Sequence, residues 1–125
     1  MRLLLDTHAL LWWLAGGRLL TREAREAIRT PDSLVAVSAA SAWEISIKKA
    51  LGKMEAPDDL DAQIVRHQFT PLAITVAHAL GAGALPPHHR DPFDRMLVAQ
   101  AQAEQLTIVT RDTRLALYGV PTLVA

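Results

Sequence analysis

The chain has 125 residues, half of them hydrophobic, no cysteine, and 13 Lys and Arg against 13 Asp and Glu, so its formal net charge is zero. That length suits one domain, 1–125, with a core that needs no disulfide. The composition excludes a disordered chain, and the lack of thiols excludes zinc fingers, iron–sulfur sites and cysteine nucleophiles. Zero net charge also argues against a broad basic surface for nucleic acid, leaving any such contact to a local site.

In chain order, Arg2 to Leu5 reads as a buried strand that stops at Asp6, and Ala9 to Ala15 as a short apolar helix ended by Gly16-Gly17. Asp6 and His8 interrupt this apolar stretch, so it is too short for a signal peptide or a membrane span. No other stretch approaches the roughly 20 apolar residues of a membrane helix, and the expectation is a cytoplasmic protein with no membrane contact. Thr21 to Arg29 forms a helix with Thr21 as its cap, and Pro31 follows as a stop. Leu34 to Val37 is a second buried strand, leading through Ser38 and Ser41 into a helix that ends near Leu51-Gly52.

Asp58 to Gln68 has the spacing of an amphipathic helix with Leu60, Ile64, Val65 and His67 turned inward. Thr70 to Leu72 suits a short strand and Val76 to Leu80 a short helix, while Gly81 to Arg90, with two Gly and two Pro, reads as a loop. Pro92 to Gln105 is a helix capped by Asp91. Leu106 to Val109 is a third apolar strand, followed by a helical turn at Arg114 to Tyr118 and a strand at Pro121 to Val124. Apolar strands alternating with helices imply an α/β domain on a parallel sheet covered on both faces. The strand order does not follow from the pattern.

The informative feature is where the carboxylates fall. Asp6 directly follows the first strand, Glu44 lies seven residues after the second, and Asp112 three residues after Val109. Asp94 opens the helix that leads into the third strand, so it lies at the same edge. Open parallel sheets bind ligands at the carboxyl ends of their strands, and oxygen-only convergence suits Mg²⁺ or Mn²⁺. A second reading stands beside this one. Each acid lies near a helix N-terminus, where a carboxylate caps the helix for about 1 kcal/mol, and Ser41-Ala42-Trp43-Glu44 is written as a capping box. Convergence separates the two, because carboxylates about 4 Å apart repel by roughly 4 kcal/mol at an effective dielectric of 20. Caps need no such arrangement.

Asp91, before Pro92, reads as a cap more than a ligand. His88-His89 read as surface residues of a Pro-rich loop, and His8 as a neighbour of the acidic edge. Trp12, Trp13 and Trp43 read as buried apolar area in a core or a dimer interface. Arg90, Arg95 and Arg111 flank the acids as candidates for holding RNA phosphates.

Four segments carry a family resemblance: Leu4-Leu5-Asp6-Thr7-His8-Ala9, Ser41-Ala42-Trp43-Glu44-Ile45, His89-Arg90-Asp91-Pro92-Phe93-Asp94-Arg95 and Thr110-Arg111-Asp112. In order and spacing they resemble the signatures of PIN-domain proteins, and specifically the VapC-type toxins of prokaryotic toxin–antitoxin pairs. The resemblance implies a three-layer α/β/α fold with a central parallel sheet of four or five short strands. It also implies an Mg²⁺- or Mn²⁺-dependent endoribonuclease. Asp6, Glu44, Asp94 and Asp112 would then be the catalytic, metal-holding acids, with Thr110 and Asp91 in support. Its implied partners are an RNA substrate, a VapB-like antitoxin whose tail enters the acidic groove, and a second copy in a homodimer. Two rivals remain open at this point: a catalytically silent interaction module whose acids only cap helices, and a metal-dependent DNA nuclease.

Overall fold

A computed structural model describes residues 1–125. Five strands run β1 (Arg2–Leu5), β2 (Leu34–Ser38), β3 (Thr70–Leu72), β4 (Thr107–Thr110) and β5 (Thr122–Val124). Six α-helices accompany them: α1 (Thr7–Leu14), α2 (Arg22–Arg29), α3 (Ala39–Ala50), α4 (Leu60–Arg66), α5 (Val76–Ala84) and α6 (Pro92–Glu104). A 3₁₀ helix spans Thr113–Tyr118.

The sheet is wholly parallel in the order β3-β2-β1-β4-β5. Side chains alternate across it as strand geometry requires. Leu3, Leu5, Val35, Val37 and Val109 face a core shared with Leu10 of α1, Ile28 of α2, Ile45 of α3 and Ile64 of α4. Leu4, Ala36 and Ile108 face the opposite way, onto Leu97, Val98 and Ala101 of α6 and Leu115 of the 3₁₀ helix. Both faces are therefore covered, giving the three-layer α/β/α arrangement. No helix is long and apolar enough to cross a membrane.

The order of strands places a topological switch point at β1, where the chain has built outward to β3 and then returns to lay β4 on the other side. A crevice opens beyond the carboxyl ends of two strands whose following loops diverge. Asp6 leaves β1 and Asp112 leaves β4 at that crevice.

Several local expectations change. α3 starts at Ala39 with Ser38 as cap, its side chain accepting from the Ala40 amide at 3.0 Å. Ser41 is thus inside the helix, its buried hydroxyl has no partner, and the Ser41–Glu44 capping box does not form. α4 has only seven residues, so its inward face is Leu60 and Ile64, one turn apart; Val65 and His67 are exposed. α5 runs on through Gly81 and Gly83, which keep an ordinary helical backbone rather than starting a loop. Gly81 faces α6 closely enough that a Cβ there would stand 3.7 Å from Ala99 Cβ. By contrast Gly16 and Gly17, at φ 107° and 80°, do end α1 by turning left-handed.

Candidate functional site

Asp6 is 9% exposed and caps α1, its Oδ1 accepting from the Ala9 amide at 2.8 Å. The Thr110 hydroxyl also bonds its carboxylate and itself accepts from the Asp112 amide at 3.0 Å. Thr110 thereby ties the ends of β1 and β4 together. Burial pushes the Asp6 carboxyl up from its ordinary value, against the pull of those two donors.

Glu44 is buried on α3. Its Oε1 accepts from Thr7 Oγ1 at 2.6 Å, and Lys48, one helical turn on, pairs with Oε2. Asp91 caps α6, accepting from the Phe93 amide at 2.8 Å and the Asp94 amide at 3.2 Å, with Pro92 at the position where no amide is needed. Asp112 caps the 3₁₀ helix through Oδ1 and is gripped by Arg114, whose Nε and Nη2 lie 3.0 and 2.8 Å from its two oxygens. That guanidinium holds the Asp112 carboxyl well below the usual carboxylate range.

Asp94 differs from the rest. It sits in the first turn of α6 with a side chain only one-quarter exposed, it caps nothing, and no cation of Lys or Arg reaches it. Burial pushes its pKa up to about 7, with the Asp91 carboxylate adding to the rise, His89 opposing it, and Asp6 and Glu44 contributing further.

All four predicted acids line one cleft of about 400 Å³, together with Asp91, Lys48, Arg111, Arg114, His8 and His89. Thr110 lies beneath it through its bonds to Asp6 and Asp112. The capping and convergence readings therefore coexist: Asp6, Asp91 and Asp112 cap helices and still face a shared space. With all of them ionised, five carboxylates against three cations leave two excess negative charges in the lining, the complement of one divalent ion. The donors are oxygen-rich, as Mg²⁺ and Mn²⁺ prefer, so the residues fit such an ion. One ligand atom each from His89, Asp94 and Asp112 lie within 4.8 Å of one another.

His89 was expected at the surface but is 5% exposed and inside the site. Its signal is its position two residues before Asp91, because a histidine there turns its ring back onto the Asp91 amide, at 3.0 Å. Lys48 and Arg114 were readable as the cations four residues after Glu44 and two after Asp112. Arg95 turns away from the cleft, donating to the carbonyls of Ala82, Leu85, Pro86 and His89. Arg111 remains at the rim, its guanidinium 4.1 Å from the Trp12 ring centroid and its Nε donating to the Ala125 carbonyl at 2.8 Å. Arg90 and His88 are exposed outside the lining. Trp12 and Trp13 pack against the core, whereas Trp43 is 62% exposed, edge-on to Phe93 at 5.5 Å.

A parallel three-layer sheet with an acidic cleft at its switch point defines the class, and the chain belongs to the PIN-domain family, which residues 3–120 match. Over 122 residues it is 33% identical to Ribonuclease VapC22 of Mycobacterium tuberculosis, spanning 94% of this chain and 92% of that protein. Its fold is also similar to two solved structures. One is a toxin–antitoxin complex from Klebsiella pneumoniae, at TM-score 0.66 and 22% identity over 97% of this chain and 95% of that one. The other is VapBC2 from Rickettsia felis bound to a DNA fragment from their promoter, at TM-score 0.72 and 14% identity over 99% and 98%.

Proposed function

We propose that this chain is a divalent-metal-dependent endoribonuclease, the toxin of a VapBC-type pair, acting in the cytoplasm on RNA phosphodiester bonds. Asp94 carries the reading. A cap is cheap and needs no neighbours, whereas a buried carboxylate set among Asp91, Asp6 and Glu44, without a Lys or Arg partner, is a standing cost that a cation relieves. The similarity to a protein named a ribonuclease supports the same activity.

Asp6 and Asp94 are the acids we assign to direct contact with Mg²⁺ or Mn²⁺, since Glu44 already carries Lys48 and Thr7, and Asp112 carries Arg114. Glu44 and Asp112 complete the set from either side, with Asp91 and Thr110 holding the backbone around it. A bound ion supplies acidified water and charge stabilisation on the phosphodiester. Lys48, Arg111 and Arg114 at the rim position the RNA backbone, and the products are a 5′ phosphate and a 3′ hydroxyl. The zero net charge gives little non-specific grip on phosphates, so selection falls to RNA shape or an unpaired segment. A VapB-like antitoxin and a homodimer belong to the same reading, by likeness to the toxin–antitoxin complexes.

The test is a calorimetric Mn²⁺ titration of antitoxin-free protein, wild type beside Asp6→Asn, followed by digestion of matched RNA and DNA strands with and without EDTA. Saturable binding abolished by Asp6→Asn, with EDTA-sensitive cleavage of RNA only, is expected. DNA cleavage at an equal rate would move the assignment to a DNA nuclease. Absence of ion binding would leave the acids as caps and the chain as an interaction module.

A further inference from the structure

Every polar atom of His89 is engaged. Its backbone N–H donates to Tyr118 Oη at 2.8 Å, and its carbonyl accepts from Arg95 Nη1 at 3.2 Å. Ring Nδ1 accepts from the Asp91 amide at 3.0 Å, and Nε2 stands 2.8 Å from Asp112 Oδ2 and 3.2 Å from Asp94 Oδ2. An amide N–H can only donate, so Nδ1 carries no proton and the ring proton lies on Nε2. That nitrogen is hydrogen-bonded to Asp112 and stands against Asp94 as well, so it meets two carboxylates brought in by different elements, one following β4 and one opening α6.

The loop is built to deliver this ring. Tyr118 Oη, besides accepting from His89, donates to the Pro86 carbonyl at 2.8 Å. Arg95 ties down the carbonyls of Ala82 and Leu85 at 2.9 Å each. The segment leading into His89 is thus fastened from both α6 and the 3₁₀ helix, which leaves the ring no freedom to withdraw from the acids.

We propose that His89 is a positioning residue of the acidic site: as a fixed Nε2–H donor to Asp112, with Asp94 seated against the same nitrogen, it holds the two carboxylates together before an ion arrives. The inference rests on the metal reading of the cleft given above. Without the donor, the two carboxylates splay apart, and ion binding must first regather them. Partners that orient the groups around a metal in this way are worth about 10- to 100-fold in affinity.

The test compares Mn²⁺ affinity by calorimetry in wild type, His89→Asn and His89→Gln, with each variant's fold checked by its unfolding transition. Asn keeps an acceptor near Nδ1 and loses the far donor, while Gln places an amide N–H near the position of Nε2. Asn is expected to weaken Mn²⁺ binding about 10- to 100-fold, and Gln to recover most of the loss. A second readout needs no variant: long-range ¹H–¹⁵N correlation of the ion-free wild type should show His89 as the Nε2–H tautomer with a slowly exchanging ring proton. Unchanged affinity in His89→Asn, Gln as weak as Asn, or an Nδ1–H tautomer each overturns the proposal. Wild type that binds no Mn²⁺ fails differently, overturning the metal reading itself and this inference along with it.

Discussion

Thr7 Oγ1 donates a 2.6 Å hydrogen bond to Glu44 Oε1, joining the residue that follows Asp6 to the acid of α3 across 37 positions of sequence. Both residues are buried, and Lys48 occupies the other oxygen of the same carboxylate. Glu44 is consequently held through both of its oxygens, with the Thr7 hydroxyl as its one tie to the β1 side of the cleft.

Removing that hydroxyl with Thr7→Val, which keeps the branched shape, should cost about 1.5–3 kcal/mol, the range for a hydrogen bond to a charged group. Urea unfolding of the two proteins measures it directly. A difference below a few tenths of a kcal/mol would mean that water or Lys48 replaces the bond without loss.

The raised pKa of Asp94 gives the ion-free protein a definite pH dependence. Between the ordinary 3.8 and about 7 the folded state holds a proton on Asp94 that the unfolded chain has released. The folded state therefore binds more protons in that window, and stability falls as pH rises through it. A divalent ion favours the charged carboxylate, so its affinity should climb over the same span and level off above. Unfolding at about pH 5 and about pH 7.5, with and without Mn²⁺, separates the effects. Equal ion-free stability at both values contradicts the assignment of Asp94.

Arg114 competes with any cation for Asp112. Arg114→Ala removes the guanidinium from both oxygens, leaving the cap and the His89 bond in place, and adds one net negative charge to the lining, so Mn²⁺ should bind about tenfold tighter. RNA should bind more weakly in the same variant, since a rim cation is lost. Parallel Mn²⁺ and RNA titrations read the two opposite changes, and shifts in one direction only would remove Arg114 from one of the two roles.

Gln105 ends α6 in the left-handed region at φ 56°. Gln105→Gly should stabilise the protein by about 1 kcal/mol, because only glycine occupies that region without steric strain. Thermal unfolding tests this, and Mn²⁺ affinity should not change, as Gln105 is outside the cleft.

Much of this architecture is legible in the amino-acid sequence. β1, β2 and β4 are built on successive apolar residues, Leu3 to Leu5, Leu34 to Val37 and Ile108-Val109, because both sheet faces are buried, and Asp91-Pro92 marks the start of α6 by capping chemistry alone. What escaped was settled by tertiary contacts. Gly81 looks like a breaker until α6 is set against it, and Ser41 looks like a cap until Ser38 takes that place at the end of β2. The convergence of Asp6, Glu44, Asp94 and Asp112 followed from strand-end logic, but the strand order behind it did not. His89 lies inside although a Pro-rich loop is usually solvated, because Tyr118 and Arg95 fasten this one inward, and nothing local in the sequence announces those contacts.

The strand order has a further consequence for how the cleft comes into being. Asp6 and Glu44 arrive with β1 and β2, while Asp94 and Asp112 arrive with β4 and the helix before it, and the exposed stretch from Leu51 to Lys53 lies between the two sets. A cut there would leave Asp6 and Glu44 in one fragment and Asp91, Asp94 and Asp112 in the other, and the seam between the fragments would run along the β1–β4 and β2–β3 pairings. The first fragment keeps only Asp6 and Glu44, and the second, although it carries His89, Asp94 and Asp112 together, lacks Asp6, one of the two acids assigned to the ion. Ion binding regained on mixing the halves would therefore be a direct optical or calorimetric reporter of correct strand register across that seam.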